Sequence, residues 1–200
     1  SSISLFTRYE HKENRITNYC LLILRLFYEE NPRFLAEVLS SLIDESMGEQ
    51  VGVSFIQQER QISGVPDGII EQQSISIFLE TKRGEDFDRD QLERHLYSLK
   101  NRNAAMKVLI ALGNIERDDT DIIEKVRSKY PDVLVVLVSF EDFLDALSLP
   151  THLPKQLSDM VLELRTFFDE EGLLPSWKYL LDVVNCARMP EDVENGFYMC

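Results

Sequence analysis

The apolar spacing of this chain changes from a helical period to a period of two near residue 50, and that change restricts it to folds that combine helix with sheet. Before the change, from Glu13 to about Leu42, Leu21, Leu24, Leu26, Phe27, Phe34, Leu35, Val38, Leu39 and Leu42 recur at three and four residues, which predicts helix. Asn31-Pro32 divides this stretch into two helices, because proline disfavours helix at the residue before it. Asp44 to Gln50, with Gly48, reads as a loop. From Val51 the period is two. Val51, Val53 and Phe55, running on into "QQERQIS", predict a first strand with one wet face. "GVPDGII" to Ile70 predicts a second, "EQQS" a turn and "SISIFLETK" a third, together an antiparallel meander.

The rest alternates. Asp86 to about Lys100 reads as a helix with Leu92, Leu96 and Leu99 as its buried stripe, and "KVLIALGN" as a strand. "DDTDIIEKVRSKY" has the acidic first turn and basic last turn that suit a helix dipole. After Pro131 comes the apolar strand "VLVVLVSF", expected at the centre of the sheet. "EDFLDAL" and Lys155 to Phe168 read as further helices, whereas "SWKYLLDVVNCAR" is ambiguous. The expectation is an α/β fold: a mixed central sheet, a three-strand meander followed by helix-strand-helix-strand, flanked by helices. Residues 1–148 are expected to form the core, and 149–200 a helical extension packed on it.

Composition narrows the function classes. The net charge of −14 over 200 residues rules out a basic groove that wraps nucleic acid along its length, but not a small basic patch at one site. Cys20, Cys186 and Cys200 make neither a disulfide framework nor a paired metal-ligand spacing, so a reduced, cytoplasmic setting is expected. The longest apolar run, Val133 to Val138, is too short to span a bilayer, so no membrane partner is expected. A chain that opens on Ser1 and closes on "NGFYMC" is expected to be part of a longer protein.

Chemistry concentrates on the third strand. Alternation sends Ile75, Ile77 and Leu79 to one face and Ser76, Phe78, Glu80 and Lys82 to the other. Asp67, after Pro66 on the preceding strand, falls beside Glu80 if the two strands pair. Two carboxylates held so close repel unless a cation lies between them, and hard oxygen ligands suit Mg²⁺ or Mn²⁺. The Thr81 carbonyl offers a further ligand, and Lys82 could orient water or steady a developing charge. A second E-x-K, Glu10-His11-Lys12, precedes a helix and is set aside.

"VPD" at Val65 to Asp67, then twelve residues, then "ETK" at Glu80 to Lys82, resembles the motif of the PD-(D/E)xK nucleases, the restriction-endonuclease-like superfamily. The likeness spans roughly residues 5 to 145 and matches that superfamily's core order of helix, three strands, helix, strand. It implies that Gln91, in "DQLERHLYSL", points into the site and that Glu13, in "ENRIT", completes the metal shell. It further implies a metal-dependent nuclease cutting phosphodiesters, DNA in preference to RNA and within the strand, as in bacterial defence or restriction modules. Asp67, Glu80, the Thr81 carbonyl and Glu13 would hold Mg²⁺ or Mn²⁺, while Lys82 and Gln91 place the attacking water. Cutting both strands implies a homo-oligomer.

Each residue also has a plainer reading. Asp67 could cap a turn with Gly68, and Glu80 and Lys82 could be a solvated ion pair on an edge strand. Gln91 and His95, at i and i+4, could be the polar border of a buried face; for His95 a structural role is the commoner one. Glu13 could be a first-turn glutamate, with Glu10 competing for the same task. Tyr97, Trp177 and Tyr179 read as surface or packing, and "FFDEEG" as a solvated helix end. Lys82 to Lys107 carries seven Lys/Arg against five Asp/Glu, whereas Glu141 to Leu174 carries two against eight, so the basic segment begins at the proposed site. Further domains or a partner subunit would have to supply most of the affinity for DNA. The alternatives are an inactive nuclease-fold domain that binds nucleic acid or protein, and an unrelated α/β interaction module.

Overall fold

The computed structural model describes residues 12–50, 52–57, 66–84, 87–114 and 117–175, with the side chains of 12–14, 117 and 118 left out. Helix α1 (Lys12–Glu30) leads into α2 (Pro32–Ile43). Proline at the first position of α2 loses no intrahelical bond, and the Asn31 side chain caps the turn by accepting from the Arg33 N–H at 3.0 Å. Three strands follow, β1 (Ser54–Gln57), β2 (Gly68–Gln72) and β3 (Ile75–Thr81). Then come α3 (Arg89–Lys100), β4 (Met106–Leu112), α4 (Arg117–Lys129), β5 (Leu134–Val138), α5 (Phe140–Leu147) and α6 (Lys155–Glu170). No described helix is long and apolar enough to cross a membrane.

The fold is a mixed five-stranded α/β sheet in the order β1-β2-β3-β4-β5. β1, β2 and β3 run antiparallel, and β3, β4 and β5 parallel, with α3 and α4 as the crossovers. Alternation divides the side chains between two cores. Ile77, Leu79, Val108 and Ile110 face α1, α2, α5 and α6. Phe78, Leu109, Ala111 and Val135 face the Leu92-Leu96-Leu99 stripe of α3 and Ile123 and Val126 of α4. Leu157, Val161, Leu164 and Phe168 of α6 belong to the first cluster, so α6 packs on α1 and α5.

Two local expectations are corrected, and part of a third lies outside the described residues. The apolar strand β5 lies at the edge of the sheet, and β3 occupies the centre. Helices α2 and α4 cover β5 on its two faces, so its apolarity reflects double coverage, which sequence does not separate from centrality. β2 continues through Glu71 and Gln72, leaving only Gln73 and Ser74 for the turn. β1 ends at Gln57 among the described residues, and 58–65, with most of "QQERQIS", lie outside them. So do Glu10, His11, Trp177, Tyr179, Cys186, Cys200 and the whole of "SWKYLLDVVNCAR".

Candidate active site

All seven residues of β3 are buried, with a neighbouring strand bonded on each side. The expected alternative of a solvated ion pair on an edge strand therefore does not apply to Glu80. The β2–β3 ladder pairs Gly68 with Leu79 and Ile69 with Phe78. Continued by one step, it sets Asp67 against Glu80, on the face that carries Ile69 and Phe78.

Backbone directions explain what happens at the end of β3. The Lys82 N–H donates to the Leu112 carbonyl of β4 at 2.9 Å. Directions alternate along a strand, so Thr81 turns its N–H and C=O toward β2. Its N–H donates to Asp67 Oδ2 at 3.1 Å, and its hydroxyl donates to the same oxygen at 3.2 Å. The ladder itself ends at Gly68 and Leu79, so beyond it the Thr81 N–H bonds the Asp67 side chain in place of a strand carbonyl. Behind them, the hydroxyls of Thr81 and the fully buried Thr17 lie 2.6 Å apart, tying α1 to β3.

Helix α3 supplies the other wall. Asp88 caps it, accepting from the N–H groups of Asp90 (2.8 Å) and Gln91 (3.1 Å). These bonds, Gln91's foremost, hold the Asp88 carboxyl below the usual aspartate range. With the leucine stripe buried on the sheet, Gln91 and His95 project from successive turns toward Glu80. The Gln91 amide donates to Glu80 Oε1, and His95 Nε2 lies 3.0 Å from Glu80 Oε2. Glu80 is 2% exposed and His95 1%. The His95 ring meets Phe78 edge-on, at 6.4 Å between centroids.

Asp67 is pushed up to about 6, by burial first and then by the charge of Glu80. The Thr81 bonds and the Lys82 charge pull the other way without offsetting this. Asp67, Glu80 and the Thr81 carbonyl are the hard-oxygen groups here that could hold Mg²⁺ or Mn²⁺; Mg²⁺ keeps several waters and needs only one or two protein carboxylates. Among the described residues no three His, Cys, Asp or Glu side chains cluster as a metal site.

Asp67, Glu80, Thr81, Lys82 and Gln91, singled out from sequence, therefore stand together at one end of β2, β3 and α3. Glu13 lies in the first turn of α1, four residues before Thr17, and its side chain is outside the described set. Sequence reasoning set His95 aside and passed over Thr17. The signal for Thr17 was a Thr-Asn pair inside an apolar helical stripe. In "FFDEEG" α6 ends with Asp169 and Glu170 exposed, but Glu171 is an ion-pair centre, taking Arg15 of α1 on one oxygen and Arg83, next to Lys82, on the other at 2.8 Å. Arg83 also donates to the Glu171 carbonyl at 3.1 Å, and Arg15 stacks over Phe167. Tyr97 is exposed on the outer side of α3.

No protein-family model matches the chain, and no curated protein matches it. Among solved structures it is similar to the small subunit of the heterodimeric restriction endonuclease R.BspD6I, at 18% identity over 84% of this chain and 98% of that one, with a TM-score of 0.37. A likeness at that level carries no weight for chemistry, which rests on the side chains just described.

Proposed function

We propose that the chain is a divalent-metal-dependent phosphodiesterase acting on nucleic acid, DNA in preference to RNA. The observation that carries this reading is that Asp67 and Glu80 stand at the ends of the paired strands β2 and β3, Asp67 held by Thr81 and Glu80 by α3, with Lys82 next along the chain. Asp67, Glu80 and the Thr81 carbonyl would hold Mg²⁺ or Mn²⁺, with Glu13 as the candidate fourth donor. Bound there, the ion would polarise a phosphoryl oxygen and lower the pKa of water. Lys82 places a positive charge where a phosphate would dock. Thr17 and Thr81 hold Asp67 in place through their hydroxyls. Gln91 acts first on Glu80, to which its amide donates, rather than directly on water. Cutting both strands would take two such sites, the second on another copy or on a partner subunit.

The test is nicking of supercoiled plasmid by the full chain in Mg²⁺, in Mn²⁺ and in EDTA. Activity is expected only with metal. Glu80→Ala is expected to abolish it, and Lys82→Ala to lower it by about 10²- to 10⁴-fold, the usual span for a positioned proton-transfer or charge-stabilising group. Cleavage in EDTA, or undiminished cleavage by Lys82→Ala, would refute the proposal.

One observation favours a second reading, an inactive scaffold that binds without cutting. Both Glu80 oxygens already have protein partners, and the residue is almost wholly buried. Binding of DNA without cleavage in either metal would select it.

A further inference from the structure

We propose that His95 is a positioning residue for the candidate metal site: through Nε2 it fixes the carboxylate of Glu80, and so sets affinity for a divalent ion that it does not touch. The inference rests on the metal-site reading above and deepens it.

Three observations carry it. First, the contact lies in a sealed place. The ring and the carboxylate are 1% and 2% exposed, and the 3.0 Å separation leaves no room for water between Nε2 and Oε2. An ionised carboxylate only accepts, so a Glu80 that binds a cation would take its hydrogen bond from Nε2.

Second, the other ring nitrogen gains nothing. His95 Nδ1 is buried and has no hydrogen-bond partner among the described residues. A side chain kept only for packing at this point of α3 would be apolar, as Leu92, Leu96 and Leu99 are on the same helix. An imidazole leaves one polar atom unsatisfied, a cost accepted only if Nε2 is needed. The Phe78–Leu96 surroundings thus explain why the ring is held still, and the Glu80 contact explains why it is a histidine.

Third, Glu80 is gripped at two points by one rigid element. Gln91 and His95 are one turn apart on a capped helix, and each takes a different oxygen of the same carboxylate. Two donors from one helix fix both the rotamer and the plane of the carboxylate. Each oxygen keeps a second acceptor direction, and Asp67 stands across the ladder. Outer partners of this kind orient a ligand and tune its basicity.

Two substitutions separate positioning from bulk. Glutamine places its amide nitrogen near the position of Nε2, whereas asparagine reaches only as far as Nδ1. The probe is Mn²⁺ alone, its binding followed by the electron paramagnetic resonance of the free ion, with circular dichroism and thermal unfolding of each full chain in parallel. His95→Gln is expected to bind Mn²⁺ within about threefold of the natural chain, and His95→Asn about 10- to 100-fold more weakly, with both folded. Equal binding by His95→Asn and the natural chain overturns the inference, as does a loss in His95→Gln matching that in His95→Asn. Unfolding of His95→Asn also overturns it, since the ring would then serve the fold. A natural chain that binds no Mn²⁺ removes the metal-site reading itself, and this inference with it; unaltered binding by both variants removes the inference alone.

Discussion

Asp67 keeps its proton up to about pH 6 because burial and the charge of Glu80 both oppose ionisation. Its ordinary value is near 3.8, so between about pH 4 and 6 the native chain binds more protons than the unfolded one. Stability therefore falls as pH rises through that window, and the penalty is fully present at neutral pH. Its size is at most roughly 3 kcal/mol. Asp67→Asn keeps an oxygen for the Thr81 N–H and removes the charge. It is expected to be more stable than the natural chain at pH 7 by about 1–3 kcal/mol, a margin that vanishes below about pH 4. Urea unfolding at the two pH values measures this; equal stability at pH 7 would show that the two carboxylates do not strain each other.

Elements meet at the site because small residues let them. Gly68 opens β2 directly after Asp67, and a Cβ there would stand 2.7 Å from Leu21 Cδ1 of α1. Gly113, just past β4, is hemmed in by the Phe87 ring and the Lys82 carbonyl in the same way, at 3.1 and 3.2 Å. Gly68→Ala is expected to cost about 1–3 kcal/mol through overpacking, and to cost less in a Leu21→Ala background. Chemical denaturation of the two single variants and the double gives the coupling; strict additivity would mean that α1 does not press on β2 at this point. In the first turn of α1, Arg15 joins Arg83 on Glu171, so the residue that caps α6 holds the segment that follows Lys82. Helix α6 is therefore tied through Glu171 to the segment beside the candidate site as well as stacked on α1 and α5.

Over the whole molecule, the sheet separates two cores; Glu80 faces α3, whereas Asp67 bonds Thr81, whose hydroxyl meets Thr17 of α1. A body of net charge −14 repels a polyanion except at the Lys82–Lys107 segment. The isolated chain is thus expected to bind duplex DNA with a Kd weaker than about 10⁻⁵ M at near-physiological salt. Fluorescence anisotropy with a labelled duplex checks this, and sub-micromolar affinity would show that charge distribution matters more than net charge. Much of the fold was legible in the residues. The Asn31-Pro32 break, the leucine stripe of α3 and the β2–β3 meander all follow from local periodicity and local sterics, which need no partner to operate. The same alternation brought Asp67 and Glu80 to one face, because register carries side-chain direction with it. Periodicity is silent on what covers a face. The edge position of β5, the use of His95 on Glu80, the Thr17–Thr81 contact and the Glu171 ion pairs each join residues far apart in sequence. Their distances depend on how layers stack, so only the tertiary structure decided them; the amino-acid order by itself determined which elements form and which side of each is apolar.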